Sequence, residues 1–536
     1  MVSATGTDTR SRRTRGTRPA AAMVTVLGLV ATAAACGGGP ASGGGGSTVV
    51  FAVAADPGTL SPTTALATTA LSMNTFAYDT LVHVAADGTV VPGVAEKWSA
   101  TATSARFTIR PGVTCEDGSP LTADDVAAEY NHIADPENQS PMLGLSVPVT
   151  AAAKADRATR TVTVTTTRPA PFIVEMTRML PLLCRKSLAA PAALARATNA
   201  SGPYRLTEAV PGDHYTYVRR DGYTWGPRGS TGKDLPGKVV FKVVPNESTA
   251  ANLLMSGQIH GAVINGADQD RLDAAKVRNR SFEALFGQLL FNQAAGRPGA
   301  DPAVRRALVS VLDLKELRNV ATGGKGEPAT AIGETVPTPC TGDTVTGNLP
   351  AHDPERAAAA LTAAGWTKDA GTWTKAGKPL TVGLSYATNQ GPQVASAVEL
   401  AVQRWTSFGV RATAKPIGSS SISGTLAGGD WDLAWAPIGV TLPDQLTQFY
   451  DGPPPPKGNN FGSLTNPDYR RLAALAAARP GVDGCALWEA ADAALVKNVD
   501  IVPFAARPIR YYAKGITFEV DGSGVIPSTL RRGDGR

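Results

Sequence analysis

Residues 106–133, RFTIRPGVTCEDGSPLTADDVAAEYNHI, combine a strand pattern, a turn-rich loop and a helix pattern in one short stretch. Apolar and polar residues alternate at its start, as they do in half-buried strands. Gly118 and Pro120 favour turns in the loop. Thr122 followed by Asp125 is the pattern of a helix N-cap with a capping box. The stretch therefore predicts a strand that passes through a tight loop into a helix.

Strand-like and helix-like segments continue to alternate along the chain. The segments STVVFAVA from Ser47 and RTVTVTTT from Arg160 are typical of strands. The segment HDPERAAAALTAAGW from His352 is typical of a helix, because Asp353 can cap the first turn and Pro354 occupies a position that needs no amide hydrogen. This alternation predicts an α/β fold with several sheets.

The net charge of the chain gives no reason to expect a nucleic-acid partner. The 536 residues carry a formal charge of +6. Residues 1–35 hold five arginines and one aspartate, so they account for +4 and leave +2 for the remainder. The net charge of this body is close to zero, so it gives no argument for nucleic acid or other acidic partners.

The N-terminal region has the order of an export signal. An arginine-rich head precedes an uncharged run over residues 20–35, which is shorter than the ~20 residues of a membrane span. Cys36 follows small residues and precedes glycines, which resembles the lipobox of bacterial lipoproteins. We therefore expect a signal peptide over 1–35, a lipid on Cys36, a flexible tether over 36–46 and anchoring at the outer face of the cytoplasmic membrane. The alternative is an ordinary cleaved signal with a chance cysteine, and the export route, general or twin-arginine, stays open.

The four other cysteines are Cys115, Cys184, Cys340 and Cys485. Outside the cytoplasm an even number of cysteines favours disulfides, and four allow three pairings. We favour Cys115–Cys184 and Cys340–Cys485, which link neighbours in the sequence. Four buried free thiols are the alternative.

No motif in the chain indicates an enzyme. There is no intact G-x-S-x-G, P-loop or dinucleotide fingerprint. The histidines have no partners at metal-ligand spacing; they are His83, His132, His214, His260 and His352. We therefore predict no catalytic residues, no metal site and no cofactor.

Seven blocks of the sequence, taken together, resemble one family. The first is residues 106–133, and the others are LVHVAADGTVVPGVAEKWS from Leu81, SGPYRLTEAVPGDHYTYVRRDGYTWG from Ser201, ESTAANLLMSGQIHGAV from Glu247, FNQAAGRPGADPAVRRALVSVLDLKEL from Phe291, HDPERAAAALTAAGW from His352 and GGDWDLAW from Gly428. They are similar to blocks of the extracytoplasmic solute-binding proteins of peptide/nickel-type ABC importers, family 5. Within the Phe291 block we expect Arg305 and Arg306 to face solvent or to form local ion pairs.

The resemblance implies a two-lobed α/β fold of the type II periplasmic-binding-protein kind, with an extra small domain, that closes on a central cleft. The order of the seven blocks along the chain, compared with the family, predicts a first lobe built from three segments, 47–75, 200–295 and 500–530. It places the small domain at 76–199 and the second lobe at 296–499. The implied function is to capture an oligopeptide or peptide-like solute, as a monomer, and deliver it to an ABC permease in the membrane.

The resemblance also suggests ligand-binding residues. The family's peptide binders have an aromatic residue followed by an acid that pairs with the amine of the peptide. At the corresponding positions this chain has Ile438 and Thr441. Capture of an amine would therefore need another acid, and Asp444 is the candidate. Trp431 and Trp435 are expected to share one strand face and wall the pocket, with core packing as the alternative. The remaining candidates come from blocks that border the cleft in the family: Tyr78 and Asn292.

Four other functions stay open from the sequence. The Trp- and Thr-rich segment and the missing acid also fit a non-peptide solute such as an oligosaccharide. A nickel chelate is less favoured, because the scattered histidines offer no ligand set. A signalling receptor derived from a binding protein is the third alternative, and an exported hydrolase of another fold is a distant fourth.

Overall fold

The structure is a computed structural model that describes residues 48–533 except 66, 86–87, 336 and 419–420. The expected signal peptide, Cys36 and the tether lie outside the described residues. The strands are β1 Thr48–Val53, β2 Val82–Val84, β3 Val90–Pro92, β4 Ala95–Thr101, β5 Ser104–Ile109, β6 Ala151–Asp156, β7 Thr161–Thr166, β8 Tyr204–Val210, β9 His214–Arg219, β10 Lys238–Val243, β11 Gly261–Val263, β12 Arg278–Phe291, β13 Thr367–Asp369, β14 Thr372–Lys375, β15 Lys378–Pro379, β16 Thr381–Ala387, β17 Arg411–Ile417, β18 Leu433–Trp435, β19 Ile501–Ala513, β20 Ile516–Thr517, β21 Val520–Asp521, β22 Gly524–Val525 and β23 Arg531–Arg532.

The α-helices alternate with these strands, as the sequence pattern predicts. They are α1 Thr68–Ala77, α2 Ala123–Ala134, α3 Ile173–Met176, α4 Arg185–Leu188, α5 Glu247–Ser256, α6 Asp268–Ala274, α7 Pro302–Ser310, α8 Leu314–Thr322, α9 Pro354–Ala363, α10 Pro392–Phe408, α11 Ile422–Gly428, α12 Thr447–Tyr450, α13 Pro467–Ala477 and α14 Cys485–Lys497. The predicted caps are present. The Asp353 carboxylate accepts from the Arg356 amide at 2.8 Å, and Asp125 accepts from the Thr122 amide at 2.9 Å.

A ten-stranded sheet in the order β17-β16-β18-β12-β19-β11-β1-β10-β9-β8 organises the fold. Its centre is the long antiparallel pair of β12 and β19, which runs from Arg278 opposite Ala513 to Leu290 opposite Ile501. One half of the sheet continues from β19 into β11 and β1, and the other continues from the end of β12 into β18. The register shifts at Gly287, where an added Cβ would lie 2.6 Å from the Phe504 ring. Any other residue here would force the Phe504 ring or Ala505 to shift, so β12 and β19 fit closely at this irregularity.

Separate apolar cores form on the two halves of the sheet and on a smaller sheet. The first lobe, which holds β1 and β8–β11, has cores around Phe51 and Leu254. The second lobe, which holds β16–β18, has cores around Trp405 and Trp488. The small unit packs α2 on the four-stranded sheet β4-β5-β7-β6. The mixed α/β fold predicted from the sequence is confirmed.

Two disulfides join residues that lie close in sequence order. Cys115 pairs with Cys184 in the small unit, and Cys340 pairs with Cys485 in the second lobe, which is the pairing that the sequence favours. The Cα–Cα distances of 6.2 and 5.1 Å lie in the usual range for a disulfide. The first bond holds the loop after β5 against the start of α4, and the second holds a long loop against the start of α14.

The expectation that Arg305 faces solvent or pairs locally is wrong. Its side chain is 2 % exposed and pairs with the equally buried Asp500, 195 residues away, at 3.2 Å. Arg306 is exposed and donates to the Lys497 carbonyl. The local sequence places both arginines on α7, but only the packing of α7 against the start of β19 decides which one is desolvated.

Candidate ligand-binding site

The small unit contacts the second lobe through residues 171–179, here called the contact segment, which contains α3. The Gly481 amide donates to the Pro171 carbonyl at 2.9 Å. The ring of Phe172 lies 6.5 Å from that of Trp488, and Phe172 belongs to a core of the second lobe. The small unit and the second lobe are therefore in direct contact through this segment.

Gln445 makes most of the side-chain hydrogen bonds in the second-lobe loop at this contact, residues 441–446. Its side-chain oxygen accepts from the amides of Thr441 and Leu442, both at 3.1 Å. Its side-chain nitrogen donates across the contact to the Leu145 carbonyl of the small unit at 3.0 Å. Thr441 also directs its hydroxyl towards the Met179 sulfur at 3.6 Å. The loop at 441–446 is therefore held in one conformation by the small unit, and sequence analysis missed Gln445 because a lone glutamine carries no motif.

Asp444 lies in the same loop and is partly buried. Its Oδ1 atom is buried without a hydrogen-bond partner, and no described lysine or arginine pairs with it. Burial, and after it the negative charge of Glu175 on the contact segment, raise the pKa of this carboxyl to about 7, although the backbone amides of Asp444 and Gln445 act in the opposite direction. Burial also raises the pKa of Glu175. Two desolvated carboxyl groups from different bodies therefore act on each other with no basic group between them in the described structure.

The two candidate tryptophans lie in cores, and they do not share a strand face. Strand β18 begins at Leu433, so Trp431 precedes it and packs in a different core from Trp435. Trp431 is 0 % exposed and donates to the Leu426 carbonyl at 3.0 Å. Trp435 is 1 % exposed, donates to the Phe286 carbonyl and packs edge-on against Phe504. In this structure both rings therefore serve packing, which was the alternative interpretation of the sequence.

Asn292 and Tyr78 are also buried, away from the loop at 441–446. The Asn292 amide donates to the Trp431 carbonyl at 2.9 Å and to the Gly429 carbonyl at 3.1 Å, so it fixes the chain ahead of β18. Tyr78 lies in the core of the first lobe, and burial raises the pKa of its hydroxyl well above the usual value. Of the six sequence candidates, the structure brings together Thr441 and Asp444 at the interlobe contact.

The described residues offer no preformed metal site. No group of three histidine, cysteine, aspartate or glutamate side chains within them could hold a metal ion. Within the same residues, no helix has the length and apolar character needed to span a bilayer.

One family matches most of the chain. The profile described as "Bacterial extracellular solute-binding proteins, family 5 Middle" matches residues 89–455. The chain belongs to this family. Two relatives are the "Nickel-binding periplasmic protein" of Escherichia coli K12, 26% identical over 329 residues, and "Protein XP55" of Streptomyces lividans, 28% identical over 293 residues. These matches cover 58% and 52% of this chain but only 60% and 51% of the relatives.

Solved structures match over nearly the whole chain. A substrate binding protein from Microbacterium hydrocarbonoxydans, complexed with 4-hydroxybenzoate hydrazide, is 27% identical with a TM-score of 0.73, and the match covers 91% of this chain and 100% of that one. CtaP from Listeria monocytogenes is 20% identical with a TM-score of 0.76 over the same shares. The predicted family and the predicted periplasmic-binding-protein fold of type II are confirmed. Members of this family are periplasmic or extracytoplasmic binding proteins, and both of these solved structures are of substrate-binding proteins.

Proposed function

We propose that the protein is the extracytoplasmic solute-binding component of an ABC importer and that it captures peptides or peptide-like solutes for a membrane permease. Family membership supports the binding role. The contact between the small unit and the second lobe supports capture by closure around a ligand. The chemistry at Asp444 supports a ligand that carries an amine.

The observation that carries the ligand class is the unpartnered Oδ1 of Asp444. A buried carboxylate without a partner is unfavourable, and the charge of Glu175 adds repulsion. An ammonium group between the two would supply the missing hydrogen bonds and remove the repulsion. The core positions of Trp431 and Trp435 give the oligosaccharide alternative less support. Asp444 is therefore the proposed amine anchor, and Thr441 supports its loop.

The remaining organisation is part of the same proposal. The first lobe comprises 47–75, 200–295 and 500–530, the small domain 76–199 and the second lobe 296–499. Residues 1–35 act as a signal peptide, and a lipid on Cys36 holds a monomeric body at the outer face of the cytoplasmic membrane through the tether at 36–46. Replacement of Cys36 by alanine, followed by cell fractionation, tests the anchor: the variant is expected in the soluble fraction, and retention at the membrane would contradict lipidation.

A thermal-shift screen tests the ligand class. Residues 47–536 are mixed with a pool of synthetic tripeptides that have both ends free, and with the same pool acetylated at the amine. A ligand at 100 times its Kd adds about 2.7 kcal/mol of stability, which raises the Tm by several degrees. We expect the free pool to raise the Tm and acetylation to remove most of the rise. A shift produced by amine-free solutes alone, such as oligosaccharides or nickel chelates, would replace the peptide proposal with one of its alternatives.

A further inference from the structure

Residues 106–133, the strand–loop–helix stretch of the small unit, line a cavity that the proposed function leaves unused. The cavity has a volume of about 460 Å³. Its lining comes from the end of β5 with the segment after it, from the start of α2 and from the turn between β6 and β7: residues 109–113, 120–124, 157 and 160. None of these residues belongs to the contact segment or to the loop at 441–446. The cavity is therefore separate from the proposed peptide site.

Backbone hydrogen bonds and a disulfide hold the walls of this cavity. The Leu121 amide donates to the Val113 carbonyl at 3.0 Å, so the two chain segments on either side of the loop run next to each other. Within the loop the Cys115 amide donates to the Ser119 carbonyl at 2.8 Å. Cys115 is also bonded to Cys184. The cavity is therefore formed by the fold itself, as small-molecule sites usually are.

The buried part of the lining is apolar. Ile109, Val113 and Leu121 line the cavity and are only 1–3 % exposed, because the rest of each side chain packs in the core of the small unit. Pro111 and Pro120 also line it and are exposed, so they lie towards its mouth. Small-molecule sites have volumes of roughly 300–1,000 Å³ and mostly apolar walls with a few polar groups. The cavity therefore suits a compact apolar body such as an aromatic ring.

Two of the three arginines that line the cavity already have partners within the small unit. Arg157 pairs with Asp124 at 2.7 Å. Arg160 pairs with Glu96 at 3.2 Å and donates to the Ile109 carbonyl at 2.6 Å. The charges of these two arginines are therefore balanced, and so is that of Asp124.

The third arginine, Arg110, has no such partners. No described residue accepts a hydrogen bond from its guanidinium or forms an ion pair with it. Its Nε atom is buried without a partner, whereas Nη1 and Nη2 reach the surface of the cavity that Arg110 lines. By contrast, the guanidinium of Arg220 donates to four carbonyls at 2.8–3.1 Å. A half-buried cation beside apolar walls is costly unless an anion completes it.

The geometry points to this cavity as a second binding site, for a small organic carboxylate that carries a compact apolar body. The carboxylate accepts from Nη1 and Nη2 of Arg110, which present two parallel N–H groups. The apolar body covers Ile109, Val113 and Leu121 and takes their remaining surface out of water. The inference goes beyond the proposed function, because the site does not use Asp444 and its ligand has no amine.

The test uses phenylbutyrate, which joins one carboxylate to a phenyl ring. Phenylbutanamide lacks the charge, and acetate lacks the ring. Calorimetric Kd values are measured for the unaltered protein, for Arg110→Met and for Pro111→Trp, which keeps the charge but places an indole ring in the cavity. The matched control is Arg168→Met, at an exposed arginine of the small unit that does not line the cavity. Asp444→Asn is the control for the interlobe contact.

For the unaltered protein we expect phenylbutyrate to bind roughly 10- to 100-fold more tightly than phenylbutanamide, the usual effect of a charge-assisted contact. Acetate should bind still more weakly than the amide. In Arg110→Met the affinity for phenylbutyrate should fall to that for the amide, and Pro111→Trp should remove binding of both. Arg168→Met and Asp444→Asn should bind phenylbutyrate as the unaltered protein does.

Three results would overturn the inference. One is that the unaltered protein binds the acid and the amide equally, or binds neither. Another is that Asp444→Asn loses phenylbutyrate while Pro111→Trp retains it, which would place the compound at the interlobe contact. The third is that Arg110→Met binds the acid as tightly as the unaltered protein does. If Arg110→Met lowers the Tm by several degrees, Pro111→Trp decides, and retained binding in that variant overturns the inference. Peptide binding is measured separately, so the proposed function is tested independently.

Discussion

Two buried charged regions of this protein differ in how completely their hydrogen bonds are satisfied. One is the Arg305–Asp500 pair, where α7 meets the start of β19. The other is the interlobe contact, with Asp444 in the second lobe and Glu175 on the contact segment. Both take charges out of water, but only the first provides every nitrogen and oxygen of its charged groups with a hydrogen-bond partner.

At the Arg305–Asp500 pair every charge is matched within the fold. Asp500 accepts from the side chains of Gln293, Asn466 and Asn498 in addition to Arg305, all at 2.8–3.2 Å. Arg305 also donates to the carbonyls of Gly299 and Val499. At the interlobe contact, Oδ1 of Asp444 has no partner in the described structure. The satisfied network is part of the scaffold, and the unsatisfied carboxyl marks the place where a ligand is expected.

The largest predicted effect is a loss of stability at the Arg305–Asp500 pair. Asp500→Ala leaves Arg305 buried without its counter-charge, so unfolding in urea should show a loss of about 3–5 kcal/mol. The control is Arg306→Ala, at the exposed neighbouring position, which should change stability by less than about 0.5 kcal/mol. Equal effects of the two substitutions would mean that the buried network does not stabilise the fold.

The second-largest predicted effect is a loss of ligand affinity at Asp444. Asp444→Asn removes the charge that pairs with the ligand amine, so calorimetry with free tripeptides should show a loss of about 1.5–3 kcal/mol, or roughly 10- to 100-fold in Kd. The control is Asp483→Asn, an exposed carboxyl of the same lobe, which should leave Kd unchanged. If Asp444→Asn binds the peptides as tightly as the unaltered protein, the amine contact lies elsewhere.

The pH dependence of binding is a smaller effect of the same carboxyl. Asp444 must be ionised to pair with an ammonium group, and burial places its pKa at about 7 in the unliganded protein. Affinity should therefore fall about tenfold for each pH unit below 7, and should also fall above about pH 8 as the peptide amine loses its proton. Asp444→Asn should lose the acid limb of this profile. If the affinity of the variant still falls at low pH, a group other than Asp444 causes that fall.

The smallest predicted effect concerns closure. Gln445→Ala removes the hydrogen bond to the Leu145 carbonyl of the small unit, so any ligand that needs the closed cleft should bind about 1 kcal/mol more weakly, whether or not it carries an amine. Gln448→Ala, which removes a glutamine that bonds within its own lobe, is the matched control. A loss confined to amine-bearing ligands would place Gln445 in amine recognition rather than in closure.

Much of the fold could be predicted from the sequence, because its signals are local. The cap at Asp353 and the capping box of Thr122 and Asp125 form between residues three positions apart, and both appear in the structure as predicted. The alternation within each strand likewise depends on neighbours. Each disulfide joins two cysteines that are neighbours among the four in the sequence, because each bond lies within one body of the fold.

The candidate site could be predicted only in part. Asp444 and Thr441 were reached through a family pattern, whereas Gln445 and Glu175 belong to no motif. Residue type alone left two interpretations of Trp431 and Trp435, pocket wall and core, and both side chains lie in cores.

The sequence by itself determined the α/β pattern, the helix caps and the family, and it favoured the disulfide pairing that the structure has. The tertiary structure alone decided which charges lose water and which of them find partners. Arg305 meets Asp500 across 195 residues, and Gln445 meets Leu145 across 300. Solvation depends on what packs around a side chain, and that packing comes from segments far apart in the chain. For this reason adjacent arginines, Arg305 and Arg306, read alike in the sequence but differ completely in burial.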